Sequence, residues 1–168
     1  MISLGFRHLP GAPARSEQEG MDLYEGDFHA WTQNQAARLR MRARTDNALD
    51  VDWENVAEEI ESLGRSDRRE LASRLGVLLQ HLLKWSFQPD ARSSGWRGTV
   101  REQRHRIGRI LRESPSLRQT LGDVMLDEYP HACESAAEET GLSLTAFPTD
   151  CPFTLDEILD PAFLPEAA

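Results

Sequence analysis

Apolar residues recur along the chain at the spacing of amphipathic helices and nowhere alternate as they would in a half-buried strand. The helices predicted from this spacing and from helix-capping residues are, in chain order, 23–43, 53–63, 66–88, 96–113, 115–129, 130–140 and a short helix that begins after Thr154. The pattern therefore predicts an all-α fold, a single-domain helical bundle of about five or six helices over residues 21–166.

The centre of the chain permits two interpretations. Gly64 is typical of a helix end, and Asp67 with Glu70 would cap a new helix. The apolar stripe nevertheless keeps one phase from Ile60 to Trp85 if a single helix runs straight through. The sequence thus leaves open whether 52–88 is one helix or two. In either case the residues expected to face the core at its start are Trp53, Val56, Ile60 and Leu63.

Other helix ends are marked by local residue types. Ser114 before Pro115 predicts a helix start, and Pro130 predicts a break after about Tyr129. Gly141 predicts the end of the stretch that follows. Further predicted caps are Asp50 or Asp52 before the central segment, and the capping box of Thr154 and Glu157.

Length and composition narrow the class of protein. The 168 residues contain no apolar run long enough to span a membrane, and the first 20 residues lack the apolar segment of a secretory signal. Only two cysteines occur, without a metal-binding spacing, which is typical of a reducing compartment. We therefore expect a cytoplasmic protein without a membrane partner, and a disordered tail over residues 1–20.

The net charge of −9 is unevenly distributed. Residues 1–60 carry six Lys/Arg and eleven Asp/Glu, residues 61–118 carry thirteen and six, and residues 119–168 carry none and eleven. A basic middle between acidic ends indicates pairing within the fold, and the negative total argues against nucleic acid as the partner.

Two rows of charge stand out at the same helical spacing of i, i+4 and i+7. The acidic row consists of Glu54, Glu58 and Glu61, and the basic row consists of Arg97, Arg101 and Arg104. Because each row borders an apolar stripe, and because arginine pairs with carboxylates through two parallel hydrogen bonds, we expect the rows to face each other across two packed helices.

Two functional alternatives use residues of the acidic row or other residues of the helix that carries the basic row. His81 together with Glu58 and Glu61 would form a carboxylate–histidine site for metal binding or acid–base catalysis, although too few ligands are present to assign a metal or a cofactor. The outward arginines of the basic helix, Arg106, Arg109 and Arg112, would serve a nucleic-acid-binding protein. The sequence contains no nucleophile or phosphate-loop motif, and whether the protein is an enzyme stays open.

The ordered blocks LYEGDFHAW, WENVAEEIESLG, LLQHLLKW, WRGTVREQRHRI and CPFTLDEILD resemble one bacterial family, domain of unknown function 29. The similarity spans about residues 22 to 164 and implies a small all-helical protein, with no activity or site residues to transfer. Similar proteins often begin near the position of Met21. From these observations we predict a non-enzymatic protein-interaction module with an unidentified protein partner, and the sequence leaves open whether the chain also forms a homo-oligomer.

Overall fold

The fold is described from a computed structural model for residues 22–45 and 50–168. Five α-helices follow a helical turn at 22–26. They are α1 (Phe28–Thr45), α2 (Trp53–Phe87), α3 (Ser94–Glu113), α4 (Leu121–Thr140) and α5 (Leu155–Leu159). The described residues form one helical domain without a strand, which confirms the predicted fold class. No helix among them is both long and apolar enough to cross a membrane. The predicted tail at 1–20 and most of the turn before α2 lie outside the described residues.

Helix α2 answers the question of one helix or two, because its 35 residues run without a break from Trp53 to Phe87. Asp52 caps its start by accepting a hydrogen bond from the backbone N–H of Asn55. Gly64 lies inside the helix and is buried, so the interpretation of Gly64 as a helix end is wrong. Asp67 is likewise a residue of the helix interior.

The hydrophobic core is built around the second half of α2. Its leucines from Leu71 to Leu83 pack against α3, α4 and the C-terminal segment. Among the described residues the core cluster begins at Leu71 and takes no side chain from α1 or from the first half of α2. Val56 and Leu63, predicted to be buried, are 38% and 50% exposed. The body of the protein therefore consists of the second half of α2 with everything that follows it.

Two predictions about the helices after α3 are wrong. Residues Pro115–Thr120 form a 3-10 helix, and Ser114 makes no side-chain capping bond to it. Helix α4 then passes through Pro130 without ending and stops at Gly141, whose φ of 71° is the left-handed cap expected there. Proline removes one backbone donor and crowds the preceding turn, but tertiary packing of the residues around it, such as Tyr129 and Cys133, holds the helix together.

The C-terminal segment is tied to the body by hydrogen bonds. The predicted capping box of Thr154 and Glu157 is confirmed, and Ile158 on the short helix α5 is fully buried. Arg104 of α3 donates to the carbonyls of Glu157 and Ile158 at the end of α5 and to that of Phe163. The bond to Ile158 satisfies a carbonyl group that the helix leaves unpaired at its C-terminus.

Candidate functional site

Helix α1 and the first half of α2 form a two-helix hairpin, here called the arm (residues 22–45 and 53–66). Helix α1 packs along α2, and its other main contact is with the 3-10 helix Pro115–Thr120. Because the arm contributes nothing to the core cluster, its outer faces have no evident role in holding the core of the body together.

The two helices of the arm approach closely at Gly64. A β-carbon placed there would lie 2.2 Å from Oγ1 of Thr32 and 3.1 Å from Nδ1 of His29, both on α1. The glycine thus makes room for α1, and the 3.0 Å contact between Nδ1 of His29 and the Gly64 carbonyl indicates that this nitrogen carries the proton. Gly64 is a packing residue.

The base of the arm is joined to the body by polar contacts with the start of the 3-10 helix. Asp27, which caps α1, accepts hydrogen bonds from the backbone N–H and the hydroxyl of Ser116 at 2.7 and 2.9 Å. The fully buried Ser114 hydroxyl donates to Asp67 at 3.1 Å and accepts from the backbone N–H of His29. Although a serine, an aspartate and a histidine meet here, the imidazole is bonded elsewhere, so they form no catalytic triad.

One face of the arm is charged. Arg40 of α1 binds Glu61 through two parallel hydrogen bonds of 2.9 Å and also reaches Glu54 and Glu58. Arg65, on the same helix as the glutamates, pairs with Glu58 and Glu61. The bonds from Arg40 are the main cause that lowers the pKa of Glu61 below its ordinary range. The acidic row is an ion-pair cluster within the hairpin.

The predicted pairing of the acidic row with Arg97, Arg101 and Arg104 is therefore wrong. Helix α3 runs antiparallel to α2, with Trp96 beside Lys84 and Ser114 beside Asp67. It ends at the level of Asp67, so the acidic row lies beyond its end and faces α1 instead. The sequence contains a signal for the true partner. Only a few residues separate α1 from α2, and helices joined by so short a connection usually pack as antiparallel neighbours, which places Arg40 near the row.

The predicted carboxylate–histidine site is also wrong. Glu61 and His81 lie on one continuous helix, 20 residues apart, which corresponds to about 30 Å along the axis. His81 is half-buried, its Nδ1 lies 2.9 Å from the carbonyl of Val77, and burial lowers its pKa. In the described part of the chain no three His, Cys, Asp or Glu residues are placed to hold a metal ion.

The thiols have no arrangement for nucleophilic chemistry. Cys133 is buried and Cys151 half-buried, both are unpaired, and burial raises the pKa of each thiol. A thiol with a raised pKa is mostly protonated at neutral pH and reacts poorly. Cys133 therefore acts as a small buried apolar residue.

The opposite face of the arm is apolar. On α2, Val56, Ile60 and Leu63 lie within an arc of about 60°, on the side away from the acidic row. On α1, the residues on the side away from Arg40 are Phe28, Trp31 and Leu39, all half-buried. Tyr24, 51% exposed, packs edge-on against the rings of Phe28 and Trp31. We call this set, from Tyr24 to Leu63, the apolar face of the arm.

The apolar face lies in line with α3. By the same helical geometry, Val56, Leu63 and Asp67 share one side of α2, and Asp67 marks the end of α3. Within the described residues, the side of α2 that α3 covers in the body therefore continues into the arm without a covering helix. Of the four tryptophans, only Trp85 is buried, and Trp31 and Trp53 belong to the arm.

Comparison with known proteins places these elements in a family. The model of the family described as Domain of unknown function DUF29 matches residues 23–164. The chain belongs to this family. The match includes nearly all of the arm and of the body, and no curated protein matches the chain.

One solved structure shares this helical fold. The chain is similar to an α-helical protein of unknown function from Rhodospirillum rubrum ATCC 11170, whose crystal structure was determined at 1.45 Å resolution. The two sequences are 28% identical over 83% of this chain and 90% of the other, with a TM-score of 0.65. The likeness confirms the helical architecture of the family member described here.

Proposed function

We propose that this DUF29 protein is a non-enzymatic protein-interaction module and that it binds through the apolar face of the arm. The observation that supports the proposal is the exposure of Val56 and Leu63 on a part of α2 that no other described helix covers on that side. Large contiguous apolar surfaces on a folded protein are typical of interaction sites. Among the described residues, neither the separated Glu61 and His81 nor the two thiols, whose pKa values burial raises, support the enzymatic alternative.

The partner that fits this surface is the arm of a second copy of the chain. Two antiparallel helices that share an apolar face are half of a four-helix bundle, and a twofold axis completes the bundle from two identical hairpins. The exposed edges of the face also complement each other, because Arg38 lies at the outer edge of α1 and Glu59 at that of α2. A twofold axis along the bundle places the α1 edge of one copy beside the α2 edge of the other.

Native mass spectrometry with sedimentation velocity tests the proposal on the full chain. We expect a dimer, and we expect Leu63→Glu to shift it to monomer because a carboxylate would be buried in the apolar interface. Met41→Glu is the matched control, since Met41 is 67% exposed on the same arm but away from the apolar face. A monomeric wild-type protein at high concentration, or equal dissociation by both variants, would refute the pairing of arms.

The nucleic-acid alternative receives little support from the geometry. Arg106 and Arg109 pair with Glu102 and Glu113 on the same helix, which neutralises two of the three outward cations. The proposed function needs no cofactor, and the cytoplasmic location stays a prediction.

A further inference from the structure

We propose that a second surface, separate from the arm, binds a short acidic peptide segment. The surface is a groove of about 570 Å³ between α3 and the C-terminal segment, and its lining includes Arg97, Arg101, Arg104, Pro161 and Leu164. We call it the arginine groove. It contains the basic row, which forms no ion pair with the acidic row.

The arginines of the groove differ from the others on α3 in their partners. Arg106 lies 2.7 Å from a carboxylate oxygen of Glu102, and Arg109 lies 3.8 Å from one of Glu113. Within the described chain, by contrast, none of the three groove arginines forms an ion pair with a carboxylate, and no acidic residue lines the groove. In a protein of net charge −9, this is a local excess of positive charge.

Arg104 lies at one end of the basic row, and its guanidinium is held in a fixed position. Its side chain is buried and donates to three backbone carbonyls, so the guanidinium cannot turn away to solvent. Burial is the main cause that lowers its pKa. Asp160 is close enough to favour the charged form, but its carboxylate accepts the backbone N–H of Ala162 and makes no ion pair with Arg104. An anion in the groove would compensate this buried cation.

Arg97 lies at the other end of the basic row. Its guanidinium lies over the ring of Trp85 at 5.4 Å, and Arg92 lies over the same ring at 5.1 Å. Stacking on an aromatic ring holds a guanidinium in place and leaves its N–H groups free to donate at the edge. Between these two ends, Arg101 is exposed. The three guanidinium-bearing positions span about 10 Å along α3.

A row of that length with an apolar wall fits a peptide better than a nucleic acid. Carboxylates spaced along an extended or helical segment match guanidinium groups spaced by one turn, and Pro161 and Leu164 offer contact to an apolar side chain between them. A nucleic acid would extend beyond the groove over an acidic protein surface, which disfavours its binding.

Fluorescence anisotropy at low and physiological salt tests the proposal. The probe is a fluorescein-labelled acidic peptide, rich in glutamate with interspersed leucine, and the control probe carries glutamine in place of each glutamate. We expect saturable binding of the acidic peptide only, weakened about tenfold by Arg101→Gln, because a charge-assisted hydrogen bond is lost. Arg101 is exposed, so this variant should retain the wild-type melting temperature.

Arg106→Gln is the matched control variant, because it removes a cation from the same helix outside the groove. Unchanged affinity in Arg106→Gln together with the loss in Arg101→Gln would support the groove as the binding site. Equal weakening by the two variants, equal binding of the glutamine peptide, or no binding of the acidic peptide would overturn the proposal. Tighter binding of a labelled single-stranded oligonucleotide that depends on Arg101 would overturn the choice of ligand.

Discussion

Replacement of Gly64 by alanine is the sharpest test of how the arm is built. The new β-carbon would lie 2.2 Å from Oγ1 of Thr32, whereas real side chains approach no closer than about 3 Å. Thr32 is fully buried and its hydroxyl donates to the carbonyl of His29 at 2.7 Å, so it has little freedom to turn aside. Helix α1 must therefore move away from α2 by about 1 Å, which also strains the contact of His29 with the Gly64 carbonyl.

The expected cost follows from two opposing effects. Overpacking of a tight site costs about 1–3 kcal/mol, while alanine gains about 0.5–1 kcal/mol over glycine inside a helix. The net loss should be about 1–2 kcal/mol, or a decrease in melting temperature of about 2–8 °C for a chain of this size. If Gly64 were instead a helix end, Gly64→Ala would either leave the free energy of unfolding unchanged or lower it through backbone strain. In neither case would the effect depend on Thr32.

Urea unfolding followed by tryptophan fluorescence measures this loss, since Trp31 and Trp53 report on the arm. Gly98→Ala is the matched control: Gly98 lies inside α3 with nothing within 4 Å of its β position, so this variant should gain about 0.5–1 kcal/mol. Adding Thr32→Ala to Gly64→Ala should recover much of the loss, because the nearest atom is removed. A Gly64→Ala variant as stable as Gly98→Ala would refute the close approach of the two helices.

Three further predictions concern charge and backbone. Arg40 lowers the pKa of Glu61, so this carboxylate stabilises the fold above the ordinary glutamate pKa of about 4.3 and the stabilisation is lost as the pH falls below it. Arg40→Gln should therefore show a smaller loss of stability between neutral and acidic pH in urea titrations, and an unchanged pH dependence would contradict the ion-pair cluster. The pKa of His81 is lowered by burial, so the unfolded chain takes up a proton first and stability should fall as the pH decreases below about 6.5. In thermal melts, His81→Gln should remove this dependence of stability on pH. The same dependence in His81→Gln would show that another group causes it. His131→Gln is the control, because the side chain of His131 is 75% exposed. Pro130→Ala should raise the free energy of unfolding by about 1 kcal/mol or more, because α4 regains a backbone donor in its interior, and a decrease would show that the helix depends on the proline.

Local sequence signals predicted the helices well. The capping box of Thr154 and Glu157, the cap at Asp52 and the left-handed end at Gly141 depend on a few adjacent residues, and all are present. The stripe of leucines in the second half of α2 is buried as its spacing indicates. These features are properties of one helix and its own termini, so no knowledge of its neighbours is needed to predict them.

The errors arose where a residue's role depends on the element opposite it. Backbone preferences alone leave Gly64 open as a helix end and predict a break at Pro130. In the structure, α1 packs against Gly64 inside a continuous α2, and Pro130 lies inside a continuous α4. Spacing alone also matched the acidic row with Arg101 and its neighbours. Helix α3 ends beside Asp67 and does not reach the acidic row, which pairs with Arg40 of α1 instead.

The sequence by itself determined the class of the fold, the positions of most helices and the face of each that could be buried. Only the tertiary structure decided which of those faces is covered, and it leaves Val56 and Leu63 exposed although their spacing is that of core residues. Helical periodicity shows which residues lie on the same side of one helix. Their burial requires a second helix that is long enough to pack against that side at the same height. In the arm that element is absent from the described chain, and this is the physical reason for proposing that another copy supplies it.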